Sequence, residues 1–427
     1  MTVATPLPFL HTATDLSAAQ ATLPIVELDR DIVRRPYRRV RPLPQPQKQL
    51  SISAWRLYQA AKKAELTRSF DAPEIDHRAA CFAAEHHTMF RWNGGELRLA
   101  PGATDEYESA AHGSRSRLIG EGMLLLTMQE YGYAFWDRFD VLVKRALRNQ
   151  IVQHPDSVRR AQAIRNKLQK RKLDKRSDFV IENGKAETAI AEAKGSLVSP
   201  GTDSRIKPDL RDALKQLAAT KPLISPQPTK TYAVGTYLRE VDDPHDDTSL
   251  IAFVDPDDRE DADLAVALPP DWVRRGNYAA WLLGMGFAEA ANALRNGIAR
   301  EGVGVSLPVK RVGGRDFVYV VTGAQLRPDR AHRFTRDMLH EWWHWPEFWF
   351  GPWRDFVQLT VLGLRVDALA AISRAIVVPQ EQSLLTVEPT TVVDTGAFDG
   401  SVMPDGSMCG AITVESIREI ELREFTL

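Results

Sequence analysis

The chain has only two cysteines, Cys81 and Cys409, which lie far apart in its 427 residues. Such a low count excludes a disulfide framework and a cysteine-rich zinc module, and it suits a reducing compartment. No apolar run approaches the length that spans a bilayer. Residues 1–16 also lack the positively charged segment and the long apolar core of a secretory signal. We therefore expect a cytoplasmic protein that does not bind a membrane.

Glycine loops that bind nucleotides are also missing. The sequence has no Walker-type loop and no dinucleotide-binding glycine pattern, and Gly284-Met285-Gly286 lies in an apolar stretch of helical periodicity without a preceding strand. The sequence shows no internal repeat. These absences argue against ATP-driven work and against a repeat architecture.

Charge is nearly balanced overall, with 55 Lys+Arg against 56 Asp+Glu, but its sign is segregated along the chain. Basic residues dominate between Lys144 and Arg176, and a helix over about 155–173 would gather them on one broad surface. A second basic set recurs once per helical turn between residues 207 and 215. Both surfaces suit a polyanion, although solvated helix faces have the same pattern. The residues predicted to bind nucleic acid, with DNA as the expected partner, are Arg159, Arg160, Arg165, Lys167, Lys170, Lys207, Arg211 and Lys215.

The most informative segment is residues 177–197, SDFVIENGKAETAIAEAKGSL. Two apolar runs flank an Asn-Gly pair, which is typical of a tight turn, so the segment predicts a hairpin of two antiparallel strands. Asp178 stands at the head of the first strand, and Glu192, Ala193 and Lys194 lie near the end of the second. Side chains alternate across a strand, so Glu192 and Lys194 share one face. Ala193 points to the other face and leaves its carbonyl group near them.

Together these residue types predict a phosphodiesterase site with a divalent metal. Mg²⁺ takes carboxylate and carbonyl oxygens and usually keeps several waters, so the expected ligands are Asp178, Glu192 and the Ala193 carbonyl group, with Mn²⁺ as a substitute. A bound metal ion can acidify a water, orient a phosphate and neutralise charge in the transition state. Lys194 would position the nucleophile or the same phosphate. The alternative is an ordinary surface Glu-x-Lys pair.

The order of these residues resembles the PD-(D/E)XK nuclease superfamily, in which an Asp, then a Glu or Asp, a spacer and a Lys lie on a central hairpin. The resemblance covers about a third of the chain, and Ser177 stands where that superfamily often has Pro. It implies an α/β fold with a restriction-endonuclease-like mixed central sheet flanked by helices. It also implies hydrolysis of phosphodiester bonds, which we expect to be endonuclease action on DNA in restriction or antiphage defence.

The flanking elements follow the order of that superfamily's core. Apolar periodicity predicts a helix over 114–131, an aromatic-rich strand over 133–141, and, beyond the hairpin, a helix over 207–220 and a strand over 230–238. Nucleases of the resembled type often carry an extra acidic residue on the first helix, which makes Glu121 a candidate auxiliary catalytic acid. A glutamate early in a helix also complements the helix dipole without any catalytic role.

Composition predicts several regions along the chain. We assign a Pro/Arg-rich N-terminal arm to 1–50, a small helical lobe to 51–110, the nuclease core to 111–240, an acidic boundary segment to 241–265 and a C-terminal α+β domain of unknown role to 266–427. The lobe contains a predicted helix over 52–66. In the C-terminal domain, helical periodicity over 272–299 precedes two strands over 303–321 that are joined through a Gly-Gly pair.

Three alternatives to a nuclease follow from the sequence. The same fold could be a catalytically inactive module that binds nucleic acid or a partner protein. His340, Glu341 and His344 fit the His-Glu-x-x-His pattern of zinc peptidases, but a Trp-Pro pair follows at once and no third ligand is evident. Asp394 begins an Asp-Thr-Gly triplet that resembles the aspartic peptidase signature, but that chemistry needs a second aspartate and the triplet has no second copy.

A dense aromatic region lies between residues 342 and 353, and it holds five of the ten tryptophans. Such a cluster is typical of a core or of an interface with a partner protein or a second subunit. Stacking on nucleic-acid bases is the alternative.

Overall fold

The structure is a computed structural model that describes residues 19–34, 43–67, 89–92, 95–105, 109–153, 163, 166, 177–245, 247–255, 265–326, 357–390, 398–413 and 421–427. The fold is mixed α/β, as expected. Among the described residues, no helix combines the length and the apolar character that a membrane span requires.

The strands, in chain order, are β1 (Gln20–Glu27), β2 (Lys48–Ser53), β3 (Phe90–Arg91), β4 (Arg98–Leu99), β5 (Tyr133–Arg138), β6 (Phe179–Asn183), β7 (Thr188–Leu197), β8 (Ile224–Ser225), β9 (Lys230–Leu238), β10 (Leu250–Val254), β11 (Val266–Ala267), β12 (Gly304–Val312), β13 (Arg315–Leu326), β14 (Val357–Arg365), β15 (Asp399–Val402), β16 (Ser407–Thr413) and β17 (Glu421–Thr426). The helices are α1 (Arg30–Arg34), α2 (Ala54–Leu66), α3 (Ser109–Glu130), α4 (Phe139–Gln153), α5 (Ile206–Thr220), α6 (Trp272–Gly284), α7 (Ala288–Asn296) and α8 (Val366–Val377).

Seven strands form one mixed sheet in the order β2-β1-β10-β9-β7-β6-β5. β1 is parallel to β10 and β7 is parallel to β9, whereas the other neighbouring pairs are antiparallel. Nearly every residue of β5, β6, β9 and β10 is buried. A sheet covered on both faces requires such continuous apolar strands, because neither face meets water.

Helices cover both faces of this sheet. On one face, Leu124 of α3 and Ile181 of β6 belong to the same apolar cluster. On the other face, Leu210 and Leu217 of α5 cluster with Val180 of β6. Neighbouring residues of β6 therefore point into different layers, as the alternation of side chains along a strand requires.

Several predicted elements are confirmed, and two others have boundaries that differ from the predicted ones. The hairpin of β6 and β7, helix α5 and strand β9 lie where the periodicity placed them. The strand predicted over 133–141 ends at Arg138, because the additional helix α4 begins at the next residue. The helix predicted over 52–66 begins at Ala54, because the two preceding residues end β2 and Ser53 accepts the Arg56 N–H at 3.2 Å as its N-cap.

The main sheet extends beyond the predicted nuclease core. β1 and half of β2 come from the residues assigned to the N-terminal arm, and β10 comes from the acidic boundary segment. Leu23 and Ile25 of β1 are fully buried. These short apolar strands were not predicted, because prolines and charged residues dominate the composition of those segments. Pairing with strands distant in sequence stabilises them. The relation to restriction endonucleases stays a prediction.

A second sheet of six antiparallel strands has the order β15-β16-β14-β13-β12-β17. It lies within the predicted C-terminal region, whose α+β character agrees with it. The predicted strand pair over 303–321 is β12 and β13, which meet at Gly313-Gly314. Helix α6 packs against β5 of the main sheet, and its Trp281 donates to the carbonyl oxygen of Gly363 in β14 at 2.7 Å, so α6 contacts both sheets.

A buried polar network joins the two sheets. Lys63 of α2 donates a hydrogen bond to Asp405, and both side chains are fully buried. Asn277 of α6 donates to the same carboxylate at 2.7 Å, and the Ser407 hydroxyl donates to it at 2.7 Å. The Lys63 ammonium group also lies 4.5 Å from the ring centroid of Trp136 in β5. Burial lowers the pKa of Lys63, whereas the charge of Asp405 opposes that effect.

Replacing Asp405 by alanine should lower the free energy of unfolding by about 3–5 kcal/mol, because Lys63 would keep a buried charge without its partner. Chemical denaturation measures this loss. The exposed pair of Lys215 and Asp212 offers a matched control, and Asp212→Ala should cost less than about 1 kcal/mol. Equal losses in the two variants would show that the buried network has no special weight.

Candidate functional site

The hairpin places Asp178 and Glu192 opposite each other. Phe179 pairs with Ala191, so the next pair along the two strands is Asp178 and Glu192. Residues paired across antiparallel strands point to the same face of a sheet. The two carboxylates therefore lie side by side on the face that α5 covers.

Lys194 lies one step further along the same face. Its Nζ donates to Glu192 Oε1 at 2.8 Å and to Gln216 Oε1 of α5 at 2.5 Å. Glu192 is only 2 % exposed, whereas 26 % of the Lys194 side chain is exposed. Glu192 Oε2 is buried and accepts no hydrogen bond from the described residues. A partly exposed lysine thus stands beside a buried carboxyl group that still has accepting capacity.

Asp178 is held by the backbone and by an arginine. Its Oδ2 accepts the N–H of Ala193 at 3.0 Å, and its Oδ1 lies 3.5 Å from Nη1 of Arg138 at the end of β5. Burial raises the pKa of Asp178 and the charge of Glu121 raises it further, whereas Arg138 lowers it. The Asp178 carboxylate loses hydration on folding, and the positive charge of Arg138 offsets only part of that loss.

The pKa of Glu192 is also raised by burial and by a neighbouring carboxyl group. Burial raises its pKa well above the usual range, and the Asp178 carboxyl group raises it further, whereas Lys194 lowers it. Two adjacent carboxyl groups with raised pKa values are a common mark of a functional site, because folding alone gains nothing from them.

Glu121 reaches this pair through arginines. It is fully buried on α3, and it accepts hydrogen bonds from both terminal nitrogens of Arg138, with Nη1 at 3.2 Å. Arg117, one turn earlier on α3, donates its Nε at 3.0 Å. Arg138 therefore links Glu121 to Asp178. The Arg138 side chain thus lies between Glu121 and the carboxylate pair. The role of Glu121 as an auxiliary acid stays a prediction.

Helix α3 and strand β7 approach each other closely at Gly120 and Gly195. A Cβ atom on Gly120 would lie 2.7 Å from Gly195 Cα and 3.2 Å from the carbonyl carbon of Lys194. A Cβ atom on Gly195 would overlap the carbonyl oxygen of Ser116. Both positions thus require glycine, since any side chain would separate the helix from the strand.

Asp178 and Glu192 fit a Mg²⁺ ion. Both offer hard oxygen ligands on adjacent strands, and the buried Glu192 Oε2 lacks a donor among the described residues. Mg²⁺ commonly binds through one or two carboxylates and fills its other positions with water and substrate oxygens. The Ala193 carbonyl group as a third ligand stays a prediction, because the contact that the structure shows for Ala193 is made by its N–H.

A separate acidic and histidine group lies on the loops after β7 and β9. Among the described residues, Asp203, His245 and Asp247 are the one set of three His, Cys, Asp or Glu residues whose ligand atoms all lie within 4.8 Å of one another. His245 lies 3.3 Å from each aspartate, and Arg239 lies 3.4 Å from Asp247. Sequence spacing did not indicate this group, because two distant loops supply it. Arg239 supplies a positive charge beside Asp247 in this group.

The predicted basic residues of α5 have three different environments. Lys215 is exposed and bonds to Asp212 at 3.1 Å. Arg211 donates two hydrogen bonds of 3.3 Å to the carbonyl oxygen of Val33, and Lys207 is buried. The expected continuous basic stripe is interrupted, because α1 packs on α5 there. Nucleic-acid binding by these residues stays a prediction.

The other predicted residues lie outside the described part of the chain. They are Arg159, Arg160, Arg165, Lys167 and Lys170 of the basic segment, His340, Glu341 and His344 of the zinc-peptidase pattern, the aromatic region 342–353, Asp394, and Cys81. Cys409 is described, and its thiol is free and buried. The hypotheses on the undescribed residues stay predictions.

Sequence reasoning did not single out Arg117, Arg138 or Gln216. Arg138 and Gln216 lie on elements that the periodicity located, but no residue pattern indicates that they point towards the carboxylates.

Comparisons of the chain with protein-family models, with curated proteins and with solved structures gave no match.

Replacing Gly195 by alanine should push α3 away from β7 and lower the free energy of unfolding by about 2 kcal/mol or more, because the new methyl group would overlap the Ser116 carbonyl group. Chemical denaturation tests this expectation. Gly113 on α3 is the matched control, since no atom lies within 4 Å of its Cβ position, and Gly113→Ala should stabilise the helix by about 0.5–1 kcal/mol. A harmless Gly195→Ala would mean that the close approach is not required.

Replacing Glu192 by glutamine should stabilise the protein by about 1 kcal/mol near neutral pH in EDTA, because active sites are commonly built at the expense of stability. A raised pKa in the folded state means that the stability contributed by Glu192 is fully present below the ordinary glutamate pKa and is lost as pH rises. The unfolding free energy of the wild type relative to Glu192→Gln should therefore fall with rising pH.

Denaturation at several pH values measures this difference. Glu187→Gln alters an exposed glutamate of the same hairpin and should show no such trend. Added Mg²⁺ should stabilise the wild type more than Glu192→Gln, because a ligand stabilises the state that binds it. A pH-independent difference between the wild type and Glu192→Gln would contradict a costly buried charge.

Proposed function

We propose that this protein is a Mg²⁺-dependent nuclease that hydrolyses phosphodiester bonds, with Asp178 and Glu192 as metal ligands and Lys194 as the catalytic lysine. The observation that carries the proposal is the convergence of these three side chains on one face of the β6-β7 hairpin. Glu192 is buried, 16 % of the Asp178 side chain is exposed, and both carboxyl groups have raised pKa values, while the lysine is partly exposed. This combination of charge, burial and access suits a metal site that meets a substrate from solvent.

The side chains have separable roles in this proposal. Asp178 and Glu192 would hold the ion, and Gln216 would orient Lys194, whose ammonium group it contacts at 2.5 Å. Lys194 would then position the attacking water or an oxygen of the scissile phosphate. When bound, Mg²⁺ would make a coordinated water more acidic and offset the negative charge that develops on the phosphate. Mn²⁺ should substitute, since it prefers similar oxygen ligands.

The proposed substrate is DNA, cut internally, in restriction or antiphage defence. The resemblance of the motif to PD-(D/E)XK nucleases supports this substrate class by analogy. Arg117, whose side chain is 59 % exposed, and the partly exposed Lys194 add positive charge near the carboxylate pair. Positive charge beside the metal ligands favours a polyanionic substrate.

A second candidate function is a catalytically inactive module that binds nucleic acid or a partner protein. Charge compensation within the site favours it, because Glu121 is paired with Arg117 and Arg138, Asp178 lies near Arg138, and Glu192 is paired with Lys194. Such a cluster is electrically balanced without a metal ion. The replacement of the usual Pro by Ser177 points in the same direction.

Cleavage assays distinguish the two functions. Supercoiled plasmid, linear duplex DNA, single-stranded DNA and RNA should each be incubated with Mg²⁺, Mn²⁺ or EDTA. We expect metal-dependent nicking or linearisation of plasmid, which Glu192→Gln and Lys194→Ala should slow by about 100-fold or more, because each loses a group that acts in the transition state.

Matched controls come from the same hairpin. Glu187→Gln and Lys185→Ala change an exposed glutamate and an exposed lysine at the turn, and both variants should cut at the wild-type rate. Binding of DNA without cleavage in any metal would support the inactive module. Cleavage that persists in EDTA or in Glu192→Gln would reject the proposed site.

A further inference from the structure

Arg117 and Arg138 both contact Glu121, but only one of them is accessible. The Arg138 side chain is 4 % exposed and lies over the ring of Phe179, with 4.4 Å from its guanidinium carbon to the ring centroid. The Arg117 side chain is 59 % exposed. Arg138 therefore supplies the buried counter-charge that Glu121 needs, and Arg117 is not required to neutralise it.

The orientation of Arg117 is nevertheless fixed. Its Nε donates to Glu121 Oε1 at 3.0 Å, so the guanidinium plane is anchored at one nitrogen. The two terminal nitrogens of Arg117 make no hydrogen bond with the described residues. They remain able to donate to a ligand with two oxygens in the paired geometry that guanidinium groups favour.

Arg117 also lies within the electrostatic field of the candidate metal ligands. Burial lowers its pKa, but the charges of Glu121, Asp178 and Glu192 raise it overall. The backbone explains this proximity, because Ser116 and Gly120, which flank Arg117 on α3, both contact Gly195 of β7. Arg117 is thus held at the rim of the carboxylate pair by the same close approach that places Glu121.

We propose that Arg117 binds a phosphate group of the nucleic-acid substrate beside the reacting phosphodiester. The inference rests on the proposed nuclease function and adds a specific positioning residue to it. An exposed arginine paired with one carboxylate contributes little to stability, so its anchored orientation has no evident structural purpose. Bidentate donation to phosphate oxygens is the interaction for which a guanidinium group is better suited than a lysine.

Binding measurements can separate this contact from catalysis. Fluorescence anisotropy with a short labelled duplex DNA should be recorded in a Glu192→Gln background, so that the probe stays intact. Adding Arg117→Ala should weaken binding about 10-fold, as expected for the loss of a charged hydrogen bond, and should reduce the slope of log Kd against log salt concentration by about one. Arg117→Lys should restore the salt slope but only part of the affinity, since it keeps the charge and loses the paired donors.

Arg423→Ala is the matched control, because Arg423 is an exposed arginine paired with Glu421 and Asp316 on the second sheet. It should leave the affinity and the salt slope unchanged. Thermal unfolding should show that Arg117→Ala keeps the wild-type fold, given its exposure.

The outcomes separate this inference from the proposed function. Wild-type cleavage together with an unchanged affinity and salt slope in Arg117→Ala would overturn the role of Arg117 and leave the nuclease intact. A wild type that neither binds nor cuts nucleic acid would overturn both. Binding that weakens in Arg117→Ala without any cleavage by the wild type would keep the phosphate contact and favour the inactive module.

Discussion

The contact between Gly120 of α3 and Gly195 of β7 sets the geometry on which the candidate site depends. Each glycine lies next to a residue of the candidate site, Glu121 on the helix and Lys194 on the strand. The backbones meet so closely that neither position has room for a Cβ atom. Side chains from two layers of the fold can therefore reach one carboxylate pair. A displacement of about 1 Å can disable an active site, so a side chain at either glycine would disturb the candidate site even if the apolar core stayed intact.

The parts of the fold that could be predicted from sequence are local ones. The Asn183-Gly184 turn and the flanking apolar runs determine a hairpin, and Asn183 closes its own turn by accepting the Lys185 N–H at 2.9 Å. The register then follows, and with it the pairing of Asp178 with Glu192. Strands β1 and β10 were missed because their stability comes from pairing across the sheet, which no local pattern records. Arg117 and Arg138 were missed because their contacts with Glu121 depend on how the chain packs, which no local pattern records either.

The protein buries charge in two different ways. Lys63 and Asp405 form a pair in which three side chains donate to the carboxylate, so its burial is compensated. Asp178 and Glu192 are adjacent carboxyl groups whose pKa values are both raised, and no N–H or hydroxyl group of the described residues donates to the buried Glu192 Oε2. Lys63 and Asp405 are fully buried, whereas 16 % of the Asp178 side chain and 26 % of the Lys194 side chain are exposed. The first cluster therefore suits a purely structural role, whereas the second keeps a pair of adjacent carboxyl groups close to solvent.

The second sheet is not an independent module, because its helix α6 holds the closed end of the hairpin. Arg274 pairs with Glu182 in the interior, and its Nη2 lies 3.4 Å and 3.2 Å from the carbonyl oxygens of Asn183 and Gly184. Its Nη1 donates to two further carbonyl groups in the segment after α8, at 2.8 and 3.0 Å. Five rigidly arranged donors thus connect the turn, strand β6 and the C-terminal region. A hairpin fixed at its turn cannot tilt freely, so the C-terminal region also determines where Asp178 and Glu192 lie at the opposite end.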